Sequence, residues 1–301
     1  MKIKGHSLSY HSMMLPGILL LIIFSVIPMA GIYMAFLRYS PFAPWWGLGS
    51  TFVGWDNFEF IFLRHPAAVQ VMVNTVIIAV MKIIAMLVVP VTFAVLLNEC
   101  INIKIKRSIQ TIVYLPHFLS WVIAGAMFTQ ILAPTGMVNS FLMNIGITAE
   151  PIGFLTNDTW FRSIVVGTDI WKSFGFSAVI YIAAITSIDP TLFEAAEIDG
   201  ANRWQKIMHI TIPCILPTII LMSTLALGGI LNAGFDQIYN LYNPMVYNTG
   251  DIIDTFVFRV GIEQAQYHVA TAVGLVKSFV SMILIIISWW LARKFAGYTI
   301  F

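Results

Sequence analysis

Six stretches of this chain stay apolar for about 20 residues or more, at roughly 14–37, 70–97, 110–133, 162–185, 214–234 and 269–292. A helix needs ~20 apolar residues to cross the hydrocarbon layer of a bilayer. Composition supports that reading. Only 10% of residues are charged and 59% are hydrophobic, where a soluble domain carries ~25% charged residues. The surplus apolar surface needs lipid. The expected fold is therefore an all-α integral membrane protein with six transmembrane helices. A net charge of +2 carries no nucleic-acid signal, and no basic run stands out.

Lys2 and Lys4 precede an apolar run of about 23 residues. That is longer than the ~7–15 residues of a signal-peptide core, so the run is expected to remain as a span. Pro28 interrupts the first span and Pro90 the second, which membrane helices tolerate. The sequence divides into residues 1–69, with the first span and an outer loop, a main transmembrane block at 70–292, and a tail at 293–301. Orientation follows from Lys and Arg. With the N-terminus inside, nine lie in inner segments and Arg38, Arg64, Arg162 and Arg259 in outer ones. Both termini are therefore expected in the cytoplasm. Cys100 and Cys214 border inner loops, so no disulfide is expected, and their spacing fits no metal site.

One inner segment stands apart. Residues 189–217, DPTLFEAAEIDGANRWQKIMHITIPCILP, form neither a span nor a plain loop. Asp189 before Pro190 reads as an N-cap with proline at the first helical position. Thr191 and Glu194 offer a second register as a capping box. Asp199-Gly200 stops the helix, since glycine takes a left-handed end without a Cβ clash. Asn202 and Gln205 start another. Trp204, Ile207, Met208 and Thr211 then share one face. The segment is either a capped loop or a two-helix elbow that docks into another protein.

Glu194-Ala195-Ala196, Asp199-Gly200-Ala201, Ile210 to Pro213 and Leu216-Pro217 together resemble the EAA loop of binding-protein-dependent ABC importer permeases. Asn74-Thr75, Tyr114-Leu115-Pro116 and Trp171-Lys172 with Gly175 match at other points, and the resemblance covers about 70–290. Phe52-Val53-Gly54 with Asp56-Asn57-Phe58, and Gly136 with Val138-Asn139, are similar to the carbohydrate-uptake branch, in particular permeases for oligosaccharides derived from polysaccharides. The resemblance implies a type I ABC importer permease fold in the plasma membrane of a bacterium. It implies that Glu194, Ala195, Ala196, Asp199, Gly200 and Ala201 couple to an ATPase. The implied partners are two cytoplasmic ATPase subunits, a second homologous permease in a heterodimer, and an extracytoplasmic solute-binding protein. ATP and Mg would be held by the ATPase, with no cofactor or metal in this chain.

The residues themselves fit that division of labour. The chain has no Gly-x-x-x-x-Gly-Lys-Ser/Thr loop, so it lacks the usual means of holding ATP. It also lacks His-Glu-x-x-His, Gly-x-Ser-x-Gly and a two-cysteine redox motif, which argues against an enzyme. Charges inside a membrane mark a pathway or a pair. Asp169 and Lys172 are three apart on one helix face and are expected to neutralise each other, or to serve gating or sugar contact. Lys82 and Lys277 are expected to snorkel or to face a partner subunit. His117 and His209 carry no assigned role.

A sugar path needs aromatic platforms beside amides, acids or hydroxyls. Span four offers Trp171 and Ser177, and the end of span five offers Asn232, Phe235, Asp236, Gln237 and Tyr239. Asn232, Asp236, Trp171 and Ser177 are the candidate path residues, with helix packing as the competing role for each. An ion-gradient-driven transporter or channel would also explain spans and buried charges. It predicts paired repeats with broken helices, and no internal repeat is visible.

Overall fold

The structure, a computed structural model, describes residues 4–40 and 50–296. Within them the regular structure is helical apart from one two-residue strand pair. Four helices are each long and apolar enough to cross a membrane: Tyr10–Phe36, Ala68–Asn98, Arg203–Gly228 and Tyr267–Trp290. Two bent pairs bring the number to six when each pair is read as one span. Ile103–Phe118 meets Trp121–Ile131 at 100°, and Asp158–Thr186 meets Pro190–Ile198 at 66°. The third expected span is thus not a straight rod. The PFAPWW run at 41–46 lies outside the described residues, as do Lys2 and the end of the 293–301 tail.

The chain forms two compact units. The first comprises 1–68 and 256–278. Here α1 (Lys4–Leu21) continues through a π-turn at Ile22–Val26 into α2 (Ile27–Met29) and a 3-10 turn at Ala30–Phe36. Pro28 sits in this irregular stretch, where its missing N–H and its ring disturb the helical ladder. Strand β1 (Leu37–Arg38) pairs antiparallel with β2 (Thr51–Phe52), and α3 (Asp56–Glu59) follows. Asn57 is buried and its amide donates to the Ala35 and Leu37 carbonyls, both at 2.8 Å. Phe36, Trp55 and Phe58 pack around it, with Phe36 and Phe58 centroids 5.4 Å apart. The Asp56-Asn57-Phe58 run therefore clamps the end of the first span.

The second unit comprises 69–255 and 279–301. Helix α4 (Ala68–Asn98) is 31 residues long. Asn102 caps α5 (Ile103–Tyr114), accepting from Lys104 and Ile105 N–H. Pro116 then lies in a 3-10 turn, and Ser120 restarts the chain as α6 (Trp121–Ile131) by accepting from Ile123 N–H at 3.3 Å. A proline that cannot donate, followed by an N-cap serine, turns the chain at this point. A short α7 (Met137–Asn144) leads to α8 (Asp158–Thr186), whose 29 residues extend about 43 Å. After it come α9 (Pro190–Ile198), α10 (Arg203–Lys206), α11 (Ile212–Gly228) and α12 (Phe235–Leu241). The chain closes with α13 (Tyr247–Gly250), α14 (Ile253–Phe258) and α15 (Tyr267–Ala296).

Two buried clusters hold the second unit. One gathers Ile78, Phe161, Val165, Ile238, Val246 and Ile252 around the first half of α8. The other gathers Ala94, Val95, Tyr181, Ile185, Ile207 and Ile215 around its far end. The Ser288 hydroxyl donates to the Thr224 carbonyl and ties α15 to α11. The fifth span ends at Gly228, short of the expected 234. Paired glycines at 228 and 229 favour the stop, because glycine is a poor helix former.

Candidate functional site

The elbow forms as its residue types dictate. Asp189 caps α9, its carboxylate accepting from Thr191 N–H at 2.9 Å. That bond holds the Asp189 carboxyl below the usual range. The register with Thr191 and Glu194 as a box is not the one taken. At the other end, Gly200 N–H donates to Glu197 at 3.1 Å and Ala201 N–H to Ala196 at 2.8 Å. Gly200 has φ +75°. This is the double-bonded Schellman ending, with glycine at its left-handed position. No atom lies within 4 Å of where a Gly200 Cβ would stand, so conformation, not crowding, calls for glycine.

Helix α10 starts with the full capping box. Asn202 accepts from Gln205 N–H at 2.9 Å, and the Gln205 side chain accepts from Asn202 N–H at 2.8 Å. Lys206 then reaches back to Glu197 at 2.5 Å, joining the two short helices. The hydrogen bond from Lys206, with its charge, holds the Glu197 carboxyl below the usual range. Between the helices lies an open depression of about 250 Å³, lined by Ala196, Asp199, Gly200, Ala201 and Lys206 among others. Glu194 and Ala195 are exposed beside it.

The expected single face of Trp204, Ile207, Met208 and Thr211 divides in two. Ile207 and Thr211 are buried at 8% and 2% exposure, while Trp204 and Met208 stay at 68% and 46%. Only one edge of this segment meets the Tyr181–Ile215 cluster. The other edge, with Ile198 at 87% exposure, leaves apolar surface on the projection.

A second constellation lies at mid-span. Lys82, buried halfway along α4, donates to the Ala233 carbonyl at 2.7 Å and to the Gln237 side-chain oxygen. Asp169 of α8 lies 3.8 Å from the same ammonium. The expected Asp169–Lys172 pair is therefore not a contact pair: Asp169 touches Lys82, and Lys172 acts on it only at longer range. Lys172 instead donates to the His117 carbonyl at 2.7 Å and sits 5.5 Å from the Trp121 ring centre. Both side chains leave one helix for neighbours packed on different sides. Nor does Lys82 snorkel: it is held inside the bundle.

Gln237 completes the set, donating to the Val165 carbonyl at 2.6 Å and the Thr168 hydroxyl at 2.7 Å. It is 1% exposed. One lysine and one amide therefore fasten the non-helical stretch between α11 and α12 to α4 and α8. This satisfies polar groups that would be costly to leave open in hydrocarbon. Gly234 adopts φ +97°, and a Cβ there would stand 2.8 Å from the Lys82 ammonium. Sequence reasoning missed this role for Gln237. The signal was a mid-span lysine together with an amide three residues after a glycine.

Ser177 lines a pocket of about 190 Å³ with Lys82, Leu87, Tyr181 and Met222 among others. Asn232 and Asp236 are exposed at the break between α11 and α12. Trp171 packs edge-on against Phe128 at 5.2 Å.

A third polar group closes the end of the unit remote from the elbow. Arg162 donates to the Asn74 side chain at 2.8 Å and to the Thr249 carbonyl at 3.1 Å. Asn74 donates in turn to the Asn248 and Asp251 carbonyls, and Thr75 accepts from Ile253 N–H at 2.9 Å. The Asn74-Thr75 pair therefore pins the segment from α13 to α14.

Residues 86–297 match the profile of a family described as binding-protein-dependent transport system inner membrane component. The chain is 38% identical over 284 residues to the polygalacturonan/rhamnogalacturonan transport system permease protein YteP of Bacillus subtilis (strain 168). That alignment covers 94% of this chain and 87% of YteP. A chain in the crystal structure of a bacterial ABC transporter involved in the import of the acidic polysaccharide alginate is 37% identical. It superimposes with a TM-score of 0.87 over 97% of each chain. A second crystal structure, of a bacterial alginate ABC transporter in complex with alginate pentasaccharide-bound periplasmic protein, holds a chain 36% identical. Its TM-score is 0.89 over 99% of this chain and 98% of that one.

Proposed function

The chain belongs to the family of binding-protein-dependent transport system inner membrane components, and we propose that it forms one half of the pore of an ABC importer for an oligosaccharide. The observation that carries the reading is the elbow. Two short capped helices, fixed to each other by Lys206 and Glu197, present an open depression and exposed apolar side chains. Nothing in an ion-driven transporter requires such a handle, and the family match speaks against that class.

In this reading the Lys and Arg bias places both termini and the elbow in the cytoplasm, in the plasma membrane of a bacterium. Residues 70–292 are the pore-forming block. Two ATPase subunits bind ATP and Mg, and each grips one elbow. Glu194 pairs with a basic residue of the ATPase, Gly200 makes the turn, and Ala195, Ala196 and Ala201 allow close approach. Asp199 ends the gripped helix. A second, similar permease completes a heterodimer, and an extracytoplasmic binding protein delivers the sugar. ATP-driven closure moves the spans between inward-facing and outward-facing states. Asn232, Asp236, Trp171 and Ser177 contribute to the path. The printed descriptions of the similar proteins, which name polygalacturonan, rhamnogalacturonan and alginate, support an oligosaccharide as cargo.

The test is Gly200→Leu in the assembled transporter. A side chain forced into the left-handed region costs roughly 1–2 kcal/mol. Uptake of a labelled oligosaccharide is expected to fall about tenfold, the factor that ~1.4 kcal/mol represents, with the protein still in the membrane. Unchanged uptake, with the ATPase still co-purifying as in wild type, would remove the elbow from the mechanism.

A further inference from the structure

The first turns of α5 carry three cations within four residues. Lys104 and Arg107 are exposed and Lys106 is half-exposed, and none of the three forms an ion pair among the described residues. No acid lies in α5, and the nearest in sequence is Glu99, ahead of its cap. No residue of α5 is buried. Lys104, Arg107 and Thr111 lie at i, i+3 and i+7, while Ile105, Ile109 and Ile112 lie at i, i+4 and i+7, so the helix has a basic side and an aliphatic one. Ile101 and Ile112 keep 84% and 66% exposure, and Ile103 and Ile105 are exposed between them. The N–H groups of the helix start are not the attraction, since Asn102 already accepts from Lys104 and Ile105 N–H.

The depth of these cations follows from the other end of the helix. A Cβ on Gly175 would stand 2.4 Å from the Val113 carbonyl oxygen, so α5 and α8 touch there backbone to backbone. Gly175 is eleven residues before Thr186, where α8 ends beside the elbow, or about 16 Å. From Val113 back to Ile103 the helix rises about 15 Å, half of a ~30 Å hydrocarbon layer. That is enough to bring the start of α5 to the same surface as the elbow. Helix α4 ends just before it, at Asn98. Long cationic side chains at such a boundary extend into the headgroup layer, while aliphatic neighbours stay among the acyl chains.

We propose that the start of α5 is a binding site for an anionic phospholipid of the inner leaflet. Lys104 and Arg107 take the headgroup phosphate, Lys106 adds to the attracting field, and the acyl chains lie against Ile105 and Ile112. Cations and exposed isoleucines share the same turns, which suits the boundary between headgroups and acyl chains. The cytoplasmic leaflet carries the negative surface potential that draws juxtamembrane Lys and Arg. A zwitterionic headgroup offers a phosphate whose charge its own amine cancels, so the site prefers a net anionic lipid. The bound lipid holds the near end of a helix whose far end bears on α8, and α8 leads into the elbow. The proposal rests on the reading that places the elbow in the cytoplasm.

The experiment uses the complete transporter, with its second permease, ATPases and binding protein, reconstituted in equal parts phosphatidylglycerol and phosphatidylcholine. Native mass spectrometry then counts the lipids that stay bound. Wild type is expected to retain phosphatidylglycerol in preference to phosphatidylcholine. Each charge removed should weaken that retention about fivefold. The combined Lys104→Gln, Lys106→Gln and Arg107→Gln variant should therefore lose the preference, while Arg107→Lys stays close to wild type. Salt at about 1 M, which shortens the screening length to ~3 Å, should abolish the preference in wild type, and it gives the readout if the triple variant does not assemble. No preference in wild type, or one that the triple variant or salt leaves unchanged, would overturn the site. So would loss of the ATPases from the triple variant while the lipid stays bound, since the cations would then serve a protein contact. The leaflet is tested separately. Ile101→Cys, in a chain with Cys100→Ser and Cys214→Ser, should resist a membrane-impermeant maleimide added outside intact cells. Labelling from outside would overturn the cytoplasmic placement of the elbow, whatever the lipid preference.

Discussion

The elbow at 189–211 and the break at 229–234 are both places where a long helix stops, and they stop by opposite means. The elbow is closed by neighbours in sequence: Asp189 with Thr191, Gly200 with Glu197, Asn202 with Gln205. The break is closed by residues far away: Lys82 reaches Ala233, and Gln237 reaches Val165. Water can satisfy an exposed helix end, so the elbow's caps refine its shape. Hydrocarbon cannot, so the contacts at the break decide whether the bundle forms. Substitutions at the break should therefore remove protein, and those at the elbow should remove coupling.

The largest expected effect is at Lys82. Lys82→Met leaves Asp169 without its ion partner and frees the Ala233 carbonyl. Removing one member of a buried pair costs about 3–5 kcal/mol, so the amount of assembled protein in membranes should collapse. Adding Asp169→Asn should restore part of it. If Lys82→Met instead accumulates normally and only slows uptake, Lys82 does not fasten the break.

Gly234→Ala comes next. It forces a Cβ onto a left-handed backbone beside the Lys82 ammonium, a strain of roughly 1–3 kcal/mol. Thermal stability of the purified complex should fall, and a rescue by Lys82→Met would show that the two residues compete for the same space. At the elbow, Asn202→Ala removes half of a capping box, worth about 1 kcal/mol. Membrane levels should match wild type while sugar-dependent ATP hydrolysis drops.

The smallest effect concerns pH. The folded Glu197 carboxyl titrates below its ordinary value of about 4.3. A depressed carboxylate stabilises at and above its unfolded pKa and loses that contribution as pH falls through the folded value. ATPase retention by the elbow should thus be flat from about pH 6 to 8 and weaken only on strong acidification. A step near neutral pH would mean that some group other than Glu197 controls the contact.

The same contrast explains what could be read in advance. Hydropathy located the four long apolar helices and the two bent pairs, and capping chemistry placed α9 and α10 within a residue or so, because both signals are local. Hydropathy is blind to direction, so the 110–133 run concealed the 100° turn that Pro116 and Ser120 produce. Spacing paired Asp169 with Lys172 because they are three apart. The real partner is Lys82, on another helix, and no periodicity rule links residues separated by so much chain. Periodicity puts Trp204 and Met208 on one face with Ile207 and Thr211, yet a projection that meets the core along one edge buries only the latter two. Of the candidate path residues, Ser177 reaches a cavity beside Lys82, while Asn232 and Asp236 lie at the break that stops the fifth span early.

One feature of the elbow bears on how force travels. From Arg203 to Gly228 the chain is one continuous helix of 26 residues, about 39 Å long, in which α10 passes into α11 through a π-turn at Ile207–Thr211. Such a helix links the Asn202 end to the Gly229 end directly, as a lever would. Its far tip abuts the strand of chain that Lys82 and Gln237 tether. A turn of the handle reaches that tethered stretch along one helix, and the π-turn at Ile207–Thr211 is the place along it where bending would be absorbed.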